Sequence, residues 1–344
     1  MGFEGAGART DEGIGIPATD GGTEIPVVDG GATDSRPLEI DRALVLNPAS
    51  GDGSHRERVR ELADRNGFVV LETQAEGEAA RFARLAAEAG ADLVAAAGGD
   101  GTLNEVVRGV DAADALDEVT VGVVPCGTGN NFAGNVGIEG IDHAFEVLAG
   151  GERRRLDVAT ADGRLFVNSC IAGLTADASA STSPELKDRL GVLAYVVTGL
   201  RAAAEFDALP LAVEATDAEG SETWSGEALV VLVGNARRFP AEGRTQADCE
   251  DGLLEVTVVE RMPPTELLEE ATLHRLFGDE TEHVTHRRAA RLRVEVLRGD
   301  PVEFSFDGEM GSHESLTMRT RPRALELPVG ERYDPDPDPD PDPD

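Results

Sequence analysis

Three stretches of this 344-residue sequence combine glycine with small neutral donors: "NPASGDG" (47–53), "GGDGTLNE" (98–105) and "PCGTGNNFA" (125–133). Glycine lets backbone N–H groups come close to an anion, and a following helix N-terminus adds positive dipole. Asn47, Ser50, Thr102, Asn104, Thr128 and Asn130 add side-chain donors to the backbone of Gly51, Gly98, Gly99, Gly101, Gly127 and Gly129. One such loop is as readily an ordinary strand–helix turn. Three in series predict a polyphosphate pocket. The layout matches neither the dinucleotide fingerprint nor the P-loop. Lys187 is the one lysine in the chain and follows no glycine loop, so the two familiar lysine-based ATP sites are excluded. Mg²⁺ and backbone dipoles are then the candidates for neutralising phosphate charge. Asp100 reads either as a Mg²⁺ or nucleotide contact or as the cap of a helix over 102–110.

The elements that must position these loops follow from hydrophobic period. Strands are expected at 42–48, 68–73, 92–98 and 119–125, alternating with helices near 55–67, 76–90, 102–110 and 141–149. Strand–helix alternation implies a parallel sheet with ligands beyond the carboxyl ends of its strands. After about residue 156 short β-rich runs take over ("RLFVNSCIAG", "LPLAVEAT", "EALVVLVGN", "LLEVTVVE", "RLRVEVLRG", "VEFSFDG", "LTMRT"), with helical stretches at 184–205 and 264–277. The expected fold is an α/β parallel-sheet nucleotide-binding domain (38–156) followed by an antiparallel, β-sandwich-like domain (157–330). The active site would lie in the cleft between them. Residues 1–37 and the "DPDPDP" end, 331–344, read as disordered acidic segments.

The net charge of −35, from 66 acidic and 31 basic residues, argues against nucleic acid as a partner. Acidity with a single lysine is the pattern of proteins working in molar salt, as in a haloarchaeal cytosol. Salt at about 1 M shrinks the Debye length to about 3 Å, so an anionic membrane surface stays open as a partner. Cys126, Cys170 and Cys249 are odd in number and far apart, which fits a reducing cytoplasm and no disulfide framework. His283 and His286 lack a third ligand and read as surface residues. No secretory leader is evident, and "GVLAYVVTGL" (191–200) is too short to span a bilayer. The basic run "HRRAARLR" (286–293) reads as a solvated strand face paired with carboxylates rather than a headgroup contact.

In order and spacing, "NPASG", "GGDGTLNEV" and "PCGTGNNFA" resemble the catalytic domain of the diacylglycerol kinase family. "FVNSCIAG", "LKDRLGVLAYVVTGL", "GNARRFPAEGRTQADCEDGLLEV" and "FSFDGE" look like its soluble prokaryotic branch, the YegS-type lipid kinases. The likeness spans about 40–329. "GGDGT" alone is shared with NAD kinases and phosphofructokinases; the later stretches favour the lipid kinases. The resemblance implies ATP against Gly98 to Asn104, including Leu103, and against Thr128, with Thr73 contributing. It implies a mainly structural magnesium site from Asp248, Asp251 and the backbone of Leu253. It also implies a catalytic base at Glu309, for transfer of the γ-phosphoryl group to a lipid hydroxyl at a membrane surface. Read without it, Asp307-Gly308 is a hairpin turn and Glu309 a solvated charge. The family usually has aspartate where Asn131 stands, which puts metal binding there in question. Lys187 falls at a lysine position of the family. A homodimer is left open. The competing readings are a kinase of a soluble acceptor such as NAD and a nucleotide-binding regulatory protein with little catalysis.

Overall fold

The structure, a computed structural model, describes residues 40–173, 208–239, 246–261 and 283–337. The N-terminal arm, Lys187 and both helical stretches expected at 184–205 and 264–277 lie outside them.

The first part alternates strand and helix: β1 (Arg42–Leu46), α1 (Arg56–Arg65), β2 (Val69–Glu72), α2 (Glu78–Glu88), β3 (Leu93–Gly98), α3 (Asp100–Ala112), β4 (Thr120–Pro125), α4 (Asn131–Asn135) and α5 (Ile141–Gly150). The four strands form a parallel sheet in the order β2-β1-β3-β4. β3 and β4 are buried along their whole length, as strands covered on both faces must be. Ala79, Phe82, Ala83 and Ala86 give α2 one apolar stripe at helical spacing. That stripe meets α3 at Gly109, where an added Cβ would stand 2.2 Å from the Ala80 carbonyl oxygen. The helix expected at 102–110 starts two residues earlier, and α4 is an element the periodicity does not show.

The second part is an antiparallel network: β5 (Glu152–Ala161), β6 (Arg164–Phe166), β7 (Ser169–Gly173), β8 (Leu209–Thr216), β9 (Ser221–Gly234), β10 (Leu254–Glu260), β11 (Val284–Ala289), β12 (Arg291–Val296), β13 (Val302–Phe306), β14 (Glu309–His313) and β15 (Ser315–Val329). The order is β14-β13-β7-β9-β8-β12-β15-β5-β6, with β10 between β9 and β11. Two long strands change partners along their length. β9 pairs with β8 through Ser221–Ala228, then lies between β7 and β10. β15 leaves β12 for β5 and shifts register between Arg321 and Leu325. Such switching folds the network around one core, which includes Phe166, Phe304, Phe306, Leu211 and Leu292.

The β-rich run "RLFVNSCIAG" holds two strands with different partners: β6 pairs with β5, whereas β7 pairs with β9 and β13. The expected disordered end does not begin at 331. Tyr333 Oη donates to Glu250 Oε1 (2.9 Å), Arg238 Nη2 donates to the Pro337 carbonyl (2.8 Å), and Gln246 donates to the Asp334 carbonyl. These hydrogen bonds hold 331–337 against the loop before β10. Three of the arginines of 286–293 are paired with carboxylates, Arg287 with Glu222, Arg288 with Asp251 and Glu255, and Arg293 with Glu295.

Candidate active site

The loops after β1, β3 and β4 meet beyond the carboxyl edge of the parallel sheet. Cys126 N–H donates to the Gly98 carbonyl (2.8 Å) and Asn47 Nδ2 to Thr102 Oγ1 (3.1 Å). Gly51, at φ +57°, packs so closely that a Cβ would be 2.6 Å from the Cys126 carbonyl oxygen. A Cβ on Gly127 would meet Gly99 Cα at 2.5 Å. The glycines are therefore required for the loops to touch one another, beyond any need to approach a ligand. Asn130 closes the third loop by accepting from Gly127 N–H and donating to its carbonyl, both at 2.8 Å. Ser50 caps the first turn, its N–H on the Asn47 carbonyl (3.3 Å). Thr73, after β2, donates its N–H to the Leu46 carbonyl (2.9 Å) and is buried. Gly101, Thr128 and Gly129 stand at the exposed rim, whereas Gly98, Thr102, Leu103 and Asn104 lie buried beneath it.

Helix α3 opens into this junction with Gly99 at its N-cap and no capping side chain. Its first-turn N–H groups thus have no intrahelical acceptor and no side-chain one, which leaves a donor-rich, positive terminus.

Asp100 does not cap α3. Its carboxylate crosses to α4, accepting from Asn131 N–H (3.0 Å), Phe132 N–H (3.0 Å) and Asn131 Nδ2 (3.2 Å). The helix-cap reading holds in kind but names the wrong helix. The N-terminus of α4 is consequently occupied by a protein carboxylate. Asn131 also gains a reason: an aspartate there would set a second carboxylate against Asp100, where the amide donates to it instead. Burial pushes the Asp100 carboxyl above its ordinary value, and the donors from Phe132 and Asn131, with the charge of Arg237, pull the other way.

From the β-rich side comes the hairpin turn Asp307-Gly308. Both residues have positive φ (+48° and +97°), and Phe306 pairs with Glu309 across the turn, as a two-residue hairpin demands. Glu309 is not a solvated charge. Its Oε2 receives Arg108 Nη1 of α3 at 2.8 Å and also Arg164 Nη2 of β6. Arg164 lies over the Phe306 ring, 4.7 Å from its centroid. The ion pair joins turn and helix, so both parts of the chain meet at Glu309. Beside it a cavity of about 450 Å³ opens among Arg81, Arg84, Arg108, Asp111 and Arg164.

Asp307 is a site residue the sequence reading passed over. Its carboxylate accepts Val167 N–H (2.7 Å), Asn168 N–H (3.1 Å) and Ser169 N–H (2.7 Å) and so separates β6 from β7. Burial raises its pKa to about 7, with the charge of Asp100 adding to the rise and the backbone donors opposing it. "DG" signals a turn in sequence, but nothing in it signals this second partner 140 residues away.

The residues carried over for magnesium, Asp248, Asp251 and Leu253, lie together in the loop before β10. Asp248 Oδ1 accepts Glu250 N–H (2.9 Å), while Asp251 accepts Leu253 N–H (2.7 Å) and faces the Arg288 guanidinium. The loop is held by buried Asp157, which accepts Gly252 N–H (2.6 Å) and Arg323 N–H (2.7 Å). Burial raises the Asp157 carboxyl, and the neighbouring Asp248 raises it further. Among the described residues no three His, Cys, Asp or Glu side chains gather as a metal ion would need.

Comparison with known proteins decides the family. The model of the diacylglycerol kinase catalytic domain matches residues 42–161, and that of the YegS C-terminal NAD kinase beta sandwich-like domain matches 168–329. A Pseudomonas aeruginosa protein named "Probable lipid kinase YegS-like" is 34% identical over 304 residues, 85% of this chain and 96% of its own. The chain belongs to the YegS-like branch of the diacylglycerol kinase family. A Bacillus subtilis protein named diacylglycerol kinase is 29% identical over 282 residues, covering 78% of this chain and 89% of its own. A crystal structure of a diacylglycerol kinase from Bacillus anthracis, 17% identical, superposes with a TM-score of 0.64 over 86% of this chain and 99% of that one, a likeness of fold. The family is one of kinases, hence phosphotransferases. Among the described residues no helix is long and apolar enough to cross a membrane.

Proposed function

We propose that this chain transfers the γ-phosphoryl group of ATP to the hydroxyl of a glycerolipid-like acceptor at a membrane surface. One observation carries the reading: three glycine loops converge on the uncapped N-terminus of α3, and the same helix receives the Asp307–Glu309 turn through Arg108. The phosphate chain lies against the backbone of 98–102 and 127–129, with Asn47, Ser50, Thr73 and Asn130 shaping the loops. Magnesium belongs to this reading as part of the MgATP substrate.

In the transfer the acceptor oxygen attacks the γ-phosphorus, its proton passes to a carboxylate, and ADP leaves with the bridging oxygen. Glu309 is that carboxylate in the first reading, once Arg108 and Arg164 share it with the acceptor. A second reading gives the proton to Asp307, which stands on the same turn two residues before Glu309 and whose carboxyl pKa is raised by burial. Incubation of the full chain with labelled ATP, Mg²⁺ and molar salt, with total lipid extract or NAD as acceptors, tests the whole. Label in lipid, abolished in Glu309→Gln and retained in Asp307→Asn, supports the first reading; the reverse supports the second. Label in NAD transfers the site to a soluble acceptor. Nucleotide binding with no transfer under any salt makes the chain a nucleotide-responsive regulator.

A further inference from the structure

Arg237 follows β9 and is only 2% exposed, yet among the described residues its Nε and Nη1 donate to nothing and it makes no ion pair. Its guanidinium lies over the Phe239 ring, with Cζ 5.5 Å from the centroid. A buried guanidinium without a carboxylate is a costly arrangement, because the ion has lost water and gained no counter-charge. The backbone fixes it in place: Asn135 Nδ2, at the end of α4, donates to the Ala236 carbonyl (2.9 Å). Asp100 caps the other end of that five-residue helix, and its charge bears on Arg237 from beyond ion-pair distance. Asn104, one turn beyond Asp100 on the same face of α3, is fully buried with both amide atoms unpartnered. Two polar side chains are therefore left unsatisfied around Asp100, under the rim of the glycine loops.

We propose that Arg237 is the cation this fold sets against the phosphate chain of a nucleoside triphosphate, a task that lysine performs in other ATP sites. The inference rests on the kinase reading above and adds to it the source of positive charge that the loops lack. Planar and permanently charged, a guanidinium suits phosphate oxygens through two parallel N–H donors. It also accounts for why such a group is tolerated in a dry interior: the ligand supplies the missing counter-charge.

The test compares wild type with Arg237→Met as full-length chains, by calorimetric titration with MgATP and by thermal melting without nucleotide. The expected result is MgATP affinity about 10- to 100-fold weaker, the size of a lost charge-assisted hydrogen-bonding pair. The melting temperature without nucleotide should be unchanged or higher, because an uncompensated buried charge has been removed. A variant that binds MgATP as wild type does, but melts lower, overturns the proposal and makes Arg237 a packing residue. Should Arg237→Met fail to fold, Arg237→Gln carries the same comparison, and wild-type affinity in that variant is equally fatal. A wild type that binds no nucleotide overturns the kinase reading itself. Binding by wild type with no loss in the variants overturns Arg237 alone.

Discussion

In the parallel-sheet half, Gly99 lies against Gly127 and Gly51 against Cys126, backbone upon backbone. In the β-rich half, Glu309, Asp307 and Arg237 reach their places as long or buried side chains, borne on β14, on the turn before it and just after β9. The first kind of site is damaged by adding atoms and the second by removing them. Adding atoms disturbs local loop contacts, whereas removing them disturbs contacts between segments more than a hundred residues apart.

The largest expected effect is on the second kind. Phe306 is fully buried and stacks on Phe304 with centroids 6.3 Å apart, while Arg164 lies over its ring. Phe306→Ala should cost about 3–5 kcal/mol in a denaturant titration, the usual range for a large aromatic in a core. It should also free Arg164 from Glu309, and with it lower phosphotransfer. Survival of wild-type activity in a folded Phe306→Ala protein would break the link drawn between this core and the turn.

Next comes the first kind. Gly127→Val places a Cβ within 2.5 Å of Gly99 Cα, and overpacking of that sort costs about 1–3 kcal/mol. Nucleotide affinity should fall more than stability does, because the loop rather than the core is displaced. Calorimetric titration beside a melting curve reads both.

A smaller effect sharpens the comparison through pH. The Asp307 carboxyl is raised from 3.8 to about 7 in the folded protein. The stability gained from its protonated form is complete below pH 4 and is lost as pH rises to about 7. Asp307→Asn does not titrate, so wild type should lose ground to it across that window. The drift is at most about 1.4 kcal/mol per pH unit and should level off above neutrality. A stability difference that stays constant from pH 4 to 8 would show that the carboxyl is not raised.

The smallest change in stability is expected from Arg108→Gln. Its ion pair with Glu309 is about one-third exposed on both sides (36% and 34%), so the loss should stay under about 1 kcal/mol. Phosphotransfer should fall further than that, because Glu309 loses its tie to α3. Equal, small losses in both measurements would reduce the pair to surface decoration.

How far the sequence could be read follows the same division. Strands β1 to β4 and their helices are set by short-range period and by glycine, so their positions are legible to within two residues, and the loops fall where the alternation puts them. Asp100 was legible as a capping carboxylate but not as the cap of α4, since α4 is five residues long and carries no period. The "DG" turn was legible, yet the partners of Asp307 and Glu309 were not. Arg237 was invisible within "GNARRFP": burial, not residue type, makes it unusual.

By itself, then, the sequence determined the α/β alternation, the family, the three glycine loops at the strand ends and the absence of a lysine among them. These depend on local backbone freedom and on motif order, which the chain carries residue by residue. Only the tertiary structure decided that Asp251 faces Arg288, that Glu309 is held by two arginines, and that Arg237 is buried with no carboxylate in ion-pair contact among the described residues. Each of these depends on which strands pair and which faces meet, and free energies of burial and charge are set there, by neighbours that are distant in sequence.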